Sequence, residues 1–211
     1  MMSNISIKLT QSTKTIENKI KKAIADEMNN LIRKRRARLL GAMKKAVDGW
    51  VSSSAFIVDL ASGGVGSIAA EFGLLAGSES IAANSIKSAI AESTKIEFGK
   101  FTRTLKGGLE IRFQPSTFVN LLSLPEGFTT INNGKLHWMD WLINRGDEIL
   151  VFDYTFQPGL EGRSGGGVML GGGSYRINPK YSGTQDDNVF TDMFKNREQQ
   201  IANILQSELF A

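Results

Sequence analysis

The sequence predicts an α+β fold, helical in its first half and built mainly from antiparallel strands in its second. Three observations carry that expectation. Apolar residues from Ile16 to Trp50 recur at three- and four-residue steps, the period of a helix face. Between Thr94 and Phe113 the period changes to two, with apolar and charged residues alternating. The order of elements, helices first and strands after, favours an antiparallel sheet over a crossover-built parallel one. The helical part spans 1–91. The sheet part, with a glycine-rich hairpin arm and a C-terminal helix, spans 92–211, and the two form one integrated domain.

Met2 to Leu9 alternates weakly and reads as a short strand or arm. Thr13 or Thr15 can cap the helix that follows, with Glu17 favourable in its first turn. Roughly 35 helical residues at 1.5 Å each make a rod of about 50 Å, which Gly41 and Gly49 could kink. Its stripe breaks at Arg35, inside a basic cluster where a packed core is not expected. Ser62-Gly63-Gly64-Val65-Gly66-Ser67 is a loop, Ser67 caps a short helix from Ile68 to Leu74, and a further helix runs from Ile81 to Ala91 with Ile81 inward.

Thr94–Phe98 and Leu109–Phe113 read as two strands with one wet face. A turn at Asn132-Asn133-Gly134 leads to a short helix from Leu136 to Asn144 with Trp138, Trp141 and Leu142 buried. Glu148 to Phe156 is the best strand of the chain. Tyr175 to Pro179 reads as its return strand. Asp187 or Asn188 caps a last helix from Val189 to Phe210.

Between those two strands lie two glycine triplets, Gly165-Gly166-Gly167 and Gly171-Gly172-Gly173, bracketing Val168-Met169-Leu170. Glycine loses the most backbone entropy on ordering, so two triplets imply a purpose. Either the segment is an ordered arm whose backbone approaches something closely, or it is a loop that orders on a partner. The expectation drawn here is an arm mobile in the free subunit, with Val168, Met169, Leu170, Arg163 and Tyr175 as inter-subunit contacts.

The chain has 211 residues, 41% of them apolar, 22% charged and none of them Cys. That composition is globular, and it excludes disulfides, thiolate metal sites and a cysteine nucleophile. No apolar run reaches eighteen residues, so no membrane association is expected. Met1 to Thr10 lacks an apolar signal core, so an exported chain is not expected. The net charge of +4 is concentrated at the start of the chain, where Arg33, Lys34, Arg35, Arg36 and Arg38 form the densest cluster. Such asymmetry admits weak contact with DNA, although no stacking aromatics are interleaved. A salt-bridged face against a neighbouring subunit is the favoured reading.

Catalytic patterns are thin. Gly162-Arg163-Ser164-Gly165-Gly166 satisfies G-x-S-x-G, but no helix follows Ser164, and the single histidine, His137, precedes it. Gly63 to Ser67 lacks the lysine of a phosphate loop, and Asp186-Asp187-Asn188 lacks the spaced ligands of a calcium loop. No enzymatic activity, metal or cofactor is expected.

The line Trp138-Met139-Asp140-Trp141-Leu142, Gly146-Asp147, Gly162-Arg163-Ser164-Gly165-Gly166-Gly167-Val168-Met169, Tyr175-Arg176-Ile177-Asn178-Pro179, Tyr181-Ser182-Gly183-Thr184 and Asp187-Asn188 is distinctive. It resembles a group of tailed-bacteriophage virion proteins, known mostly from environmental and cyanobacterial phages. This chain carries Tyr175 where that group carries Trp, and Asn178 where it carries Val or Pro. The resemblance implies a structural neck, head–tail joining or tail-completion component without catalytic residues. It implies a homo-oligomeric ring in the virion, assembled in the host cytoplasm, with portal, adaptor or tail-tube proteins as partners. The alternatives are a nucleic-acid-binding accessory protein using Arg33 to Arg38, and, behind it, a Ser164 hydrolase.

Overall fold

The computed structural model describes residues 10–131, 134–145, 149, 151–176, 178, 180–181 and 183–210. Helix α1 runs from Thr13 to Ser52, about 60 Å at 1.5 Å per residue. Its cap is Ser12, whose hydroxyl accepts from the Thr15 N–H, rather than the expected Thr13 or Thr15, both of which lie inside the helix. The helix continues through Gly41 and Gly49 without a break.

Burial divides α1 in two. From Leu39 onward Leu39, Met43, Val47, Trp50 and Val51 are buried at helical spacing, whereas only Ala25 is buried before that point. Ion pairs one turn apart, Glu17–Lys21 and Lys22–Asp26, line the uncovered half. Such exposed, salt-screened pairs add little to stability.

Helices α2 (Ala55–Ser62), α3 (Ile68–Glu71) and α4 (Glu79–Ser93) complete the helical part. In α4 the buried face is Ala82, Ala83, Ile86 and Ile90, which turns Ile81 outward at 57% exposure, contrary to the sequence reading.

Strands β1 (Lys95–Gly99) and β2 (Gly108–Arg112) pair antiparallel with Ile96 buried, Phe98 half-buried, and Lys95 and Glu97 wet. Helix α5 (Val119–Leu122) precedes β3 (Phe128–Ile131) and β4 (Gly134–His137), a second hairpin. Leu136 and His137 therefore belong to a strand rather than to the predicted helix. The helix is the short α6 (Trp138–Asp140), continued by a wider turn over Trp141–Arg145. Trp138 and Leu142 are buried as predicted, while Trp141 is half-buried.

Strands β5 (Val151–Pro158) and β6 (Gly167–Tyr175) form the third antiparallel pair. The antiparallel pairing follows the alternation in the sequence, but among the described residues it is distributed over three two-stranded hairpins. The return strand is the glycine segment itself, not Tyr175 to Pro179. Of the latter, Ile177 and Pro179 lie outside the described residues, as do 1–9, the turn residues Asn132 and Asn133, and Gly146 with Asp147.

The last helix is split into α7 (Val189–Asp192) and α8 (Glu198–Phe210). Between them Asn196 adopts a left-handed φ of +59°, a conformation that asparagine tolerates better than most residues. The break lets Phe194 stack on Phe113 at 4.9 Å, with the Trp50 ring edge-on to Phe113. Helix α8 then runs back along α1, from Gln200 at the Trp50 indole to Glu208 at Arg38. The buried parts of α1, α2, α4, α6 and α7 share one hydrophobic core.

Candidate functional site

Two surfaces hold the residues singled out in the sequence. The first is the β5–β6 ribbon. Its backbone is paired within the chain from Val151–Tyr175 to Pro158–Gly167, so the arm is an internal hairpin rather than a free loop. The two glycine triplets serve different ends of it.

At the tip, Gly166 packs where no side chain fits. A Cβ there would lie 2.6 Å from the Ala70 methyl and 2.6 Å from the Gly64 carbonyl oxygen. The Gly166 carbonyl accepts from both Gly66 and Gly159 N–H groups. Arg163 clamps the tip: its Nε donates to the Gly73 carbonyl at 2.9 Å and its Nη2 to Thr129 Oγ1 at 2.8 Å, while its own carbonyl accepts from Ala76.

The second triplet bends the ribbon. Pairing skips between Phe152 and Tyr154, Asp153 takes φ +62°, and Gly172 and Gly173 take +103° and +85°. Such left-handed residues opposite one another make a bulge that glycine accommodates without strain. Thr155 donates its hydroxyl to the Gly172 carbonyl across the bend. Tyr175 folds back to within 6.3 Å of the Phe156 ring, and its hydroxyl donates to Glu71 Oε2 at 2.7 Å. Burial raises the Glu71 carboxyl above its ordinary range, partly offset by that hydrogen bond, and burial likewise drives the Tyr175 hydroxyl upward.

Arg163 and Tyr175 are thus engaged within the chain. Strand alternation places Val168 and Leu170 on one face and Met169 on the other, so the three cannot enter one groove together. Val168 and Met169 are half-buried. Leu170, Phe152 and Tyr154 stay exposed at 45%, 70% and 46%.

The second surface is the basic run on α1, which the fold divides. Arg33 and Arg36 face a groove beside β1–β2, with the Arg36 guanidinium 5.5 Å above the Phe98 ring. Arg38 instead pairs with Glu208 of α8. Lys34 is exposed and Arg35 half-buried.

The catalytic patterns take structural roles. Ser164 is buried, and its Oγ accepts the Gly166 N–H within its own turn. His137 stacks on Phe128 at 4.0 Å, and no hydrogen bond joins it to Ser164. In the Gly63–Ser67 loop, the Ser67 hydroxyl accepts from Ala70 N–H, Asp59 from Ile68 N–H, and Gly166 from Gly66 N–H, so these amides are already used. Asn188 caps α7 in a reciprocal box with Thr191, and Asp187 pairs with Lys195. Among the described residues no three His, Asp or Glu side chains converge, and no helix is long and apolar enough to cross a membrane.

Compared with known proteins, the chain matches no family model, no curated protein and no solved structure.

Burial lowers the His137 pKa from its ordinary 6.5, opposed by the nearby Asp140 charge and the Leu122 backbone. Its contribution to stability is complete above the unfolded value and is lost as pH falls below about 6.5, because the unfolded chain then binds the extra proton. Glu71 has the opposite sign, since its raised pKa makes the fold gain stability on acidification towards 4.5. Denaturation midpoints measured from neutral to mildly acid pH are expected to flatten in His137→Gln and to steepen downward in Glu71→Gln.

Proposed function

We propose that this chain is a non-enzymatic structural subunit of a tailed-phage virion. In this reading it assembles in the host cytoplasm into a ring at the neck or tail end, against portal, adaptor or tail-tube neighbours. The observation that carries the reading is surface that a lone subunit leaves uncovered. That surface is partly apolar: Ile20 and Ile24, one turn apart on the uncovered half of α1, are 55% and 43% exposed, and Phe152 stands out on the ribbon.

With Ala25 as the one fully buried residue among its first 26, α1 gains less there from tertiary packing, the usual source of helix stability in proteins, than it does from Leu39 onward. A neighbour lying along that face supplies it. The resemblance in sequence points the same way, and the internal contacts of Ser164 lend the hydrolase alternative no support.

The test is the oligomeric state. Sedimentation and electron microscopy of the purified chain are expected to show closed rings, and Ile20→Asp/Ile24→Asp to leave folded monomers with the helical circular dichroism of α1 intact. A wild-type chain that stays monomeric at its highest soluble concentration, alone and with a portal or tail-tube partner, overturns the reading.

A further inference from the structure

We infer that the groove between α1 and the β1–β2 hairpin is a binding site for the phosphate backbone of nucleic acid, used without regard to base sequence. The inference does not depend on ring assembly. It rests on a juxtaposition the sequence does not display: two basic segments some seventy residues apart meet at one place.

The meeting is built by a two-bond clasp. Asn29 on α1 donates its Nδ2 to the Phe101 carbonyl at 2.9 Å and accepts the Phe101 N–H on Oδ1 at 2.9 Å. An amide side chain that satisfies both backbone groups of one residue fixes the hairpin loop against the helix. It brings Lys100 opposite Arg33 and Arg36 across an open groove of about 390 Å³. The same loop carries Arg103 and Lys106, both exposed.

The charge in this groove is uncompensated. Among the described residues, Arg33, Arg36, Lys100, Arg103 and Lys106 have no carboxylate within ion-pairing distance. Arg33 donates only to Asn30, and Arg36 rests on Phe98. The one acid lining the groove, Asp26, is already paired with Lys22 at 2.7 Å. Arg38 and Arg112, by contrast, are paired, with Glu208 and Glu110.

Five unpaired cations spread over two elements suit a chain of phosphates better than a single carboxylate. The guanidinium forks, and one of the two hydroxyls of the mutually bonded Thr102 and Thr104 at the loop, add donors of the kind that phosphate oxygens accept. The nearby rings are not available for stacking: Phe98 lies under Arg36 and Phe101 is half-buried. Bases are therefore not read, and affinity comes from counterion release.

Fluorescence anisotropy with labelled duplexes of two unrelated sequences tests this. Both are expected to bind alike, with log K falling against log salt at a slope of about −3 to −4 for the four or so phosphates that five cations can contact. Arg33→Glu/Arg36→Glu is expected to weaken binding at least tenfold and to reduce the slope by about two. Lys100→Gln/Arg103→Gln, confined to an exposed loop that the core does not need, is expected to do the same in a smaller measure, and Arg112→Gln to change nothing. Absent duplex binding at low salt overturns the inference. So does binding that the loop variant leaves unchanged, or a polyglutamate probe that binds more tightly than DNA, which assigns the groove to an acidic protein neighbour.

Discussion

Replacing Trp138 with alanine is expected to destabilise the fold by about 3–5 kcal/mol, the range for deleting a large buried aromatic. Trp138 is fully buried, its ring lies 5.2 Å from Phe72, and its indole N–H donates to the Glu126 carbonyl at 2.9 Å. The substitution therefore opens a cavity and also orphans a carbonyl. Denaturant titration checks it: the midpoint should fall with the slope nearly unchanged. Trp141→Ala serves as the comparison, since that ring is half-buried with the Arg145 guanidinium 5.0 Å above it. Equal losses from the two tryptophans would remove Trp138 from the centre of the core.

The second large effect is at the ribbon tip. Gly166→Val is expected to cost about 1–3 kcal/mol by overpacking, because the obstacles are the Gly64 backbone and the short Ala70 side chain rather than a flexible chain end. The damage should be local. Hydrogen exchange at Gly66 and Ala76, whose amides donate to the tip, should accelerate while amides of the buried half of α1 keep their protection. Gly171→Ala is the control: a Cβ there meets nothing within 4 Å, and less unfolded-chain entropy makes the change neutral or stabilising. Identical exchange in both variants would contradict the docking of the tip on α3.

These expectations show what the residues alone disclose. The long helix, the β1–β2 alternation and the cap at Asn188 were legible because each is a local period or a local hydrogen bond. The break at Arg35 marked where the core stops. The purpose of the glycines was not legible, since one triplet is explained by Ala70 and Gly64, about a hundred residues away, and the other by a bulge opposite Asp153. Nor was the split of the C-terminal helix, because the apolar stripe continues through Asn196 and only the Phe113 ring explains the interruption. His137 reads as helical from its neighbours but is held in β4 by pairing with Phe128. The basic groove needed the Asn29–Phe101 clasp, a contact that no local pattern announces.

The bent ribbon returns at both ends to α3, with Gly166 against Ala70 and the Tyr175 hydroxyl on Glu71, 104 positions apart in the chain. A hairpin closes in about 1–10 μs once its strands exist. During synthesis at about 5–20 residues per second, though, α3 is made roughly 5–20 s before Tyr175. For that interval the Gly66 amide and the Glu71 carboxylate lack the ribbon groups they bond in the fold. The rise of the Glu71 carboxyl comes with burial, against the lowering pull of the Tyr175 hydroxyl, and α7 and α8 are made later still.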